Sequence, residues 1–342
     1  MSALKSDGLY IGGVASIPLR MFQNEYRTAQ YVSVNDAKKD LVLAMADMSI
    51  FSVPNPANVN LEPVSPKWSV VDANWHPRMI RKILCKLKEW KSKVAYEPVS
   101  VPKAGGLFQL LASSPRQGQL PHADSLGLFP AHTIDLATPN RHELAAMHAA
   151  AKKYDFFESQ RWWEIIDSLG IPSSGARDRF VSITNHKMTD EGIPFQTIQL
   201  LPFIPTILTK LGADGVLLTE ILKLDDPRLT DPAHAPYVLS RTSNGSTEIG
   251  GVYMRLFPPV EVVEDVVSVN GVGDTFLGVL LAGLAKGAEL NEDLINLAQR
   301  GAIMTLRSKE AVSPQLGELT PEIDRLQRSV ITEALETASH ET

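Results

Sequence analysis

The sequence has little cysteine and no long hydrophobic run. Its single cysteine, Cys85, cannot form an internal disulfide, and it excludes four-thiolate zinc sites and Cys-x-x-Cys redox chemistry. A reducing compartment fits this composition best, so a cytoplasmic protein is expected. The longest apolar run, residues 276–285, falls short of the roughly 20 residues that span a bilayer. The sequence therefore predicts no membrane partner.

An excess of positive charge is absent as well. The chain has 33 basic and 39 acidic residues and a formal net charge of −6, which gives no electrostatic reason to expect nucleic acid as a partner. The eight histidines show neither H-x-E nor H-E-x-x-H spacing, which argues against a zinc site. With 44% hydrophobic and 21% charged residues, the composition is that of an ordinary globular protein.

What the 342 residues do contain is an alternation of β-branched, apolar segments with segments of helical period. Strands are predicted at residues 28–34, 41–46, 68–72, 94–97, 133–137, 206–211 and 216–219. Helices are predicted from Pro77 onward, where Cys85 is expected to be buried on the apolar side, and at residues 273–286, 291–306 and 321–335. Residues 113–130 and 225–251 are rich in Pro, Gly, Ser, Asp and Thr and are predicted to be surface loops. This order predicts an α/β fold, a Rossmann-like three-layer sandwich with a mostly parallel sheet.

The most informative segment carries Asn270-Gly271-Val272-Gly273 between a β-branched run and an apolar helix that Asp274 opens. Glycines at a helix start let a ligand approach the backbone, and the free amides of the first turn form a site for an anion such as phosphate. An acidic Asp274 inside such a site is suited to accept a proton from a hydroxyl that attacks the phosphate. The alternative is that Asp274 only caps the helix and the glycines only form a turn.

Two other segments carry candidate ligand-binding residues. After the predicted strand 133–137, Asn140 and Glu143 lie one helical turn apart, and such a pair can hold a magnesium ion through waters. The alternative there is an N-cap asparagine with a glutamate at N3, as in a capping box. Further on, Lys210 precedes Gly212 and Gly215, and the two glycines allow a nucleotide to lie against the turn, although an ordinary hairpin explains them equally.

Together, and in this order, the three segments resemble the ribokinase or PfkB family of small-molecule kinases, in which a Thr-Pro-Asn-x-x-Glu motif, a Leu-Gly-x-x-Gly turn and a Gly-Ala-Gly-Asp helix start recur. The resemblance covers most of the chain from about Arg27 onward. It implies a ribokinase-like fold, ATP and Mg²⁺ as cofactors, and Asp274 as the catalytic base. It also implies an anion hole at the amides of Gly271, Val272 and Gly273, a magnesium site at Asn140 and Glu143, and nucleotide contacts at Lys210, Gly212, Gly215 and Asn140.

Residues 72–74, 97–104 and 268–270 are similar to segments of pseudouridine kinases. This resemblance implies that Asn74 and Lys103 contact the substrate together with Asp274. The residues alone leave open that Asn74 is a turn residue and that Lys103 is an exposed lysine in a loop. The expected reaction is ATP-dependent phosphorylation of the primary hydroxyl of a ribosyl compound, with pseudouridine first and adenosine, ribose and fructose as other candidates.

Members of that family begin with strands that this chain lacks, so we expect a small, incomplete β lid. The expected division is a partial lid and substrate-side segment at residues 1–40 and a ribokinase-like nucleotide-binding and catalytic domain at residues 41–342. Because some eukaryotes fuse this kinase to a pseudouridine monophosphate glycosidase, functional coupling to such a glycosidase is expected, and a homodimer is a further expectation. A catalytically weak nucleotide-binding scaffold of the same fold is the alternative.

Overall fold

The computed structural model describes residues 28–36, 41–52, 65–112, 126–172, 174–242 and 244–327. The strands are β1 (Gln30–Asn35), β2 (Leu41–Asp47), β3 (Trp68–Asp72), β4 (Lys93–Glu97), β5 (Leu136–Ala137), β6 (Thr206–Lys210), β7 (Val216–Leu222), β8 (Val238–Arg241) and β9 (Gly251–Phe257). The α-helices are α1 (Pro77–Glu89), α2 (Val101–Ala104), α3 (Gly106–Ala112), α4 (Arg141–Lys153), α5 (Gln160–Ser168), α6 (Ala176–Ile183), α7 (His186–Asp190), α8 (Ile193–Leu200), α9 (Val272–Lys286) and α10 (Glu292–Leu306). Short 3₁₀ turns lie at Ser49–Ser52, Phe156–Glu158, Gly212–Asp214, Pro227–Leu229, Ala235–Tyr237 and Leu316–Leu319.

The main sheet has seven strands in the order β3-β4-β5-β6-β7-β9-β8. Strands β3 to β6 pair in parallel, whereas the pairs β6–β7, β7–β9 and β8–β9 are antiparallel. The prediction of a mostly parallel sheet is therefore wrong for half of it. The reason is local, because the turn Gly212–Asp214 between β6 and β7 is far too short for the crossover that parallel strands need.

Both faces of this sheet are apolar, and they belong to two separate cores. In β6, Ile207 packs into one core and Leu208 into the other, and Leu217 and Leu218 alternate in the same way in β7. Helices α1 to α8 contribute to the first core, whereas α9 and α10 contribute to the second. Side chains of adjacent strand residues point to opposite faces, so one sheet separates two helical layers. The predicted α/β three-layer sandwich is confirmed.

Several local predictions differ from the structure. The segment 225–251, predicted to be a loop, contains strand β8, which pairs with β9. Of the other predicted loop, residues 113–125 lie outside the described part, and Leu126 and Phe129 are core residues rather than surface ones. Cys85 is exposed, because it lies one position beyond the buried Leu84. The predicted C-terminal helix is described from residue 320 to residue 327.

Strands β1 and β2 form a separate two-stranded antiparallel sheet. Val32 pairs with Met45 and Val34 with Leu43, so these four apolar side chains share one face, and all four are exposed. The expected boundary at residue 40 falls between these two paired strands, and residues 1–27 and 37–40 of the expected lid segment lie outside the described residues. None of the described helices has the length and apolar character needed to cross a membrane.

Candidate functional site

A row of polar side chains stands at the carboxyl ends of the parallel strands. Asp72 ends β3 opposite Glu97, which ends β4, while Thr138 directly follows β5 and Lys210 ends β6. By the alternation of the strands, these four residues face the layer of α9 and α10. Ligand sites of open α/β sheets lie at this edge of the sheet, so the row marks the candidate site.

Glu97 and Lys210 form an ion pair in the middle of this row. The Lys210 ammonium lies 3.0 Å from both carboxylate oxygens of Glu97, and the Thr138 hydroxyl donates to Glu97 Oε2 at 2.6 Å. Only 7% of the Glu97 side chain and 16% of the Lys210 side chain are exposed. A buried carboxylate needs such partners, because an unpaired one pays a large desolvation cost.

The N-terminus of α9 faces the same ion pair. A Cβ atom at Gly273 would lie 3.0 Å from Lys210 Nζ, so the ammonium lies directly against the first turn of the helix. Gly271 is the N-cap, with a φ of 72°, and a Cβ there would lie 1.7 Å from the carbonyl oxygen of Ala311. Only glycine fits position 271, because its positive φ and the Ala311 carbonyl both exclude a side chain.

Asp274 lies in the first turn of α9, and its side chain is exposed. No side chain caps this helix, and within the described ranges the Asp274 carboxylate has no hydrogen-bond partner. The alternative interpretation of Asp274 as a cap therefore lacks a hydrogen bond to support it. The first amides of a helix have no intrahelical acceptor, so a free carboxylate stands beside free N–H donors.

Asn140 and Glu143 form a capping box at the start of α4. The Asn140 Oδ1 atom accepts from the amides of His142 and Glu143 at 2.9 Å each, and Glu143 Oε2 accepts from the Asn140 amide at 2.8 Å. Burial raises the pKa of the Glu143 carboxyl. The hydrogen bond from the Asn140 amide and the charge of Lys210 oppose this rise, whereas the charges of Glu97 and Asp274 add to it. The local geometry is thus that of the capping alternative.

Asn140 and Glu143 are also the two residues of the expected magnesium site. The Asn140 side-chain oxygen is engaged by two amides, whereas Glu143 Oε1 has no hydrogen-bond partner in the described part of the chain. Among the described residues, no group of three or more His, Cys, Asp or Glu side chains converges on one point. Magnesium keeps most of its water shell and needs only one or two carboxylates, so this donor set fits a largely hydrated ion at Glu143.

The predicted substrate residues Asn74 and Lys103 are in contact. The Lys103 ammonium donates to Asn74 Oδ1 at 2.5 Å, while the Asn74 side-chain amide donates to Asp72 Oδ2 at 3.1 Å. Burial lowers the pKa of Lys103, and the Asp72 carboxylate opposes this change. In the sequence between Glu97 and Lys103, Val99 has a φ of 66°. This left-handed conformation costs a β-branched residue about 1–3 kcal/mol. Such strain is typical of functional sites.

The turn after Lys210 is held from α4. Gly212 has a φ of 63° and open space around its Cβ position, whereas a Cβ at Gly215 would lie 2.1 Å from the carbonyl oxygen of Phe257. Arg141 donates to Asp214 Oδ2 at 2.6 Å and to the Leu211 carbonyl at 3.0 Å. The open side of Gly212 leaves the turn accessible to a ligand.

Sequence reasoning assigned no role to Glu97, Thr138 or Arg141. All three lie inside or beside segments that carry the resemblance, and an acidic or polar residue at the end of an apolar strand is a usable signal. Their partners, however, lie far away in sequence, as Glu97 and Lys210 are 113 residues apart. The structure brings together Lys210, Gly273 and Glu97, and it brings Asn74 together with Lys103.

The sequence profile described as pfkB family carbohydrate kinase matches residues 233–316, which include α9 and α10. A pseudouridine-metabolizing bifunctional protein of Schizosaccharomyces pombe is 30% identical over 300 residues, covering 87% of this chain and 36% of that protein. The chain thus spans about a third of the length of this curated relative.

One solved structure with a TM-score above 0.5 shares the fold. A nucleoside kinase of Burkholderia thailandensis in complex with inosine matches with a TM-score of 0.53 and 12% identity, covering 95% of this chain and 74% of that one. A carbohydrate kinase from Agrobacterium tumefaciens matches with a TM-score of 0.49 and 14% identity over the same shares of the two chains.

Proposed function

We propose that the chain, in which residues 233–316 match the pfkB carbohydrate kinase profile, is a kinase of that family and transfers the γ-phosphoryl group of ATP to a hydroxyl of a sugar or nucleoside. The observation that carries the proposal is the free Asp274 carboxylate in the first turn of α9, beside Gly271 and Gly273. A phosphoryl acceptor must lose its hydroxyl proton, and a carboxylate at the anion site is placed to take it.

The other groups of the site have complementary roles. The backbone amides of Gly271, Val272 and Gly273 are placed to donate hydrogen bonds to the charge that develops on the transferred group. Lys210 lies against the same turn and adds a positive charge, while Gly212 and Gly215 shape the turn on the nucleotide side. A magnesium ion held through water at Glu143, whose helix start Asn140 caps, would neutralise phosphate charge.

Pseudouridine is the proposed substrate, with its primary ribosyl hydroxyl as the acceptor. Support comes from the S. pombe protein, whose name describes pseudouridine metabolism, and from the contact between Asn74 and Lys103 at the strand ends. Adenosine, ribose and fructose are the competing substrates. The proposal includes functional coupling to a pseudouridine monophosphate glycosidase, a cytoplasmic location, and a homodimer for which the apolar hairpin face is the candidate surface.

The test is ATP turnover with magnesium against pseudouridine, uridine, adenosine, ribose and fructose. Asp274→Asn is expected to lower turnover by about 10²–10⁴-fold while nucleotide affinity is kept, as for the loss of a general base. The matched control is Asp293→Asn, which removes an exposed acidic residue from the first turn of α10. Equal turnover in both variants would rule out the role of Asp274.

The second candidate is the nucleotide-binding scaffold, which the exposed and unpaired carboxylate of Asp274 does not favour. A scaffold binds ATP but shows no turnover with any of the five substrates, and Asp274→Asn then changes nothing. If the folded protein behaves in this way, the scaffold interpretation replaces the kinase proposal.

A further inference from the structure

Glu97 has no role in the reaction as described so far, yet it is among the most buried carboxylates of the described chain. It ends β4, while its partner Lys210 ends β6, and the two-residue strand β5 lies between them. Both oxygens of Glu97 are used, since Oε1 and Oε2 bind the ammonium and Oε2 also accepts from Thr138. Thr138 follows β5, so the carboxylate is held from the ends of two other strands, β5 and β6.

The ion pair determines where the ammonium of Lys210 points. A lysine ammonium has three N–H donors, and Glu97 accepts two of them. In the described ranges the third donor has no protein acceptor, and Nζ lies against Gly273 on the side of α9. The remaining hydrogen-bonding capacity of Lys210 is therefore available at the anion site.

Electrostatics make this placement dependent on Glu97. The N-terminus of α9 carries a partial positive charge, which repels a nearby ammonium when no anion is bound. A lysine side chain also has many rotamers, and it has a large entropic preference for water over a buried position. The carboxylate of Glu97 opposes both effects, because it attracts the ammonium and binds it with two hydrogen bonds.

We propose that Glu97, supported by Thr138, is a positioning residue that holds the Lys210 ammonium beside the first turn of α9, where Lys210 binds the phosphate chain of the nucleotide. The inference rests on the proposed phosphoryl transfer for its biological meaning. It is a statement about phosphate binding, however, and binding is measurable without an acceptor substrate, without magnesium and without turnover.

The experiment measures the affinity for inorganic tripolyphosphate and, separately, for adenosine by calorimetry. Lys210→Met is made in the original protein and in Glu97→Gln. In the original protein, Lys210→Met is expected to weaken tripolyphosphate binding by about tenfold or more, the size of one hydrogen bond between charged groups, with adenosine affinity unchanged. In the Glu97→Gln protein the same change is expected to have less than about a third of that effect, because the ammonium is no longer held at the site.

A purely structural ion pair gives a different result. If Lys210→Met weakens tripolyphosphate binding equally in both backgrounds, Glu97 does not position Lys210. If Lys210→Met has no effect in the original protein, Lys210 does not reach the phosphates, and the inference is equally overturned.

A second pair of variants decides the matter if Glu97→Gln does not fold. Thr138→Val removes the hydroxyl that supports Glu97, whereas Thr209→Val removes a buried hydroxyl on the opposite face of β6 that has no hydrogen-bond partner. Thr138→Val is expected to weaken tripolyphosphate binding by about threefold, a modest share of one hydrogen bond, with Thr209→Val unchanged. Equal affinities in the two variants contradict the inference.

The outcome is separate from that of the substrate panel. If the effect of Lys210→Met on tripolyphosphate binding depends on Glu97 but no substrate is turned over, the positioning role is retained and the proposed kinase activity is rejected. If a substrate is turned over but the effect of Lys210→Met does not depend on Glu97, the kinase activity is retained and the role of Glu97 is rejected.

Discussion

The ammonium nitrogen of Lys210 lies 3.0 Å from the point where a Cβ atom would stand at Gly273. Lys210 ends a strand of the sheet, and Gly273 belongs to the first turn of α9, so this approach joins the two halves of the candidate site. The absence of a side chain at position 273 is what permits it.

Replacing Gly273 by alanine is expected to displace the Lys210 ammonium without unfolding the protein. The clash involves the far end of a flexible side chain rather than the backbone, so the chain can adjust. ATP turnover is expected to fall by tenfold or more, about the effect of one misplaced charged hydrogen bond. The control is Gly278→Ala in the same helix, where nothing lies within 4 Å of the added Cβ; it keeps turnover and gains about 1 kcal/mol in stability.

Replacing Gly271 by alanine is expected to destabilise the fold itself. Gly271 and Gly287 flank α9, and both have a positive φ, which costs an alanine about 1 kcal/mol. At Gly287 nothing lies within 4 Å of the added Cβ, whereas at Gly271 the carbonyl oxygen of Ala311 lies at 1.7 Å. The free energy of unfolding in urea should therefore fall by about 1–3 kcal/mol more for Gly271→Ala than for Gly287→Ala. Equal losses would show that the Ala311 contact is relieved at no cost.

Glu143→Gln is expected to change how stability depends on pH. Burial raises the pKa of Glu143 in the folded protein, so the native state holds this proton more tightly than the unfolded chain. The contribution of Glu143 to stability is then fully present below the ordinary glutamate pKa of about 4.3 and is lost as pH rises through the folded value. Glutamine keeps an acceptor for the Asn140 amide but cannot ionise.

The stability of Glu143→Gln relative to the original protein should therefore be constant at low pH and increase as pH rises. Urea unfolding across this range measures it, and Glu289→Gln, an exposed carboxyl, controls for the loss of one negative charge. A difference that stays flat with pH would mean that the burial of Glu143 does not affect its ionisation.

Lys91→Gly is expected to stabilise the end of α1. Lys91 has a φ of 55° in the left-handed region, its amide bonds to the Lys88 carbonyl, and the Ser92 amide bonds to the Leu87 carbonyl. These two bonds form a Schellman motif, in which glycine is the favoured residue. The variant should be about 1 kcal/mol more stable than Lys91→Ala in thermal or urea unfolding. If the glycine and alanine variants were equally stable, the left-handed conformation at residue 91 would carry no strain.

Much of the fold follows from local sequence patterns. The predicted helices at residues 273–286 and 291–306 agree closely with α9 and α10, because long apolar runs and an asparagine cap at Asn291 mark them. The sequence does not reveal strand β8, because the strand has only four residues and lies in a segment whose prolines and glycines give it the composition of a loop. Cys85 was placed on the wrong side of its helix, because neighbouring residues on a helix differ by about 100° in direction.

The candidate site was predictable only in part. The start of α9 at Gly271 was recognisable, because its glycines and Asp274 are contiguous in sequence. The pairing of Glu97 with Lys210 was not, since it depends on the order of strands in the sheet. The sequence also could not decide that Asn140 and Glu143 form a capping box, because a capping box and a hydrated metal site use the same two residue types at the same spacing.

Strands β7 and β9 pair over seven positions, and the segment that connects them offers a place to split the chain. The exposed residues Asp231 to Ala233 lie between these strands, so a break there leaves Lys210 on the first fragment and Asp274 on the second. Neither fragment alone would contain the site, and pairing from Val216–Phe257 to Leu222–Gly251 is the contact that would rejoin them. Two co-expressed fragments would therefore act as a split reporter. Recovery of phosphoryl transfer would show that β7 of one fragment has paired with β9 of the other.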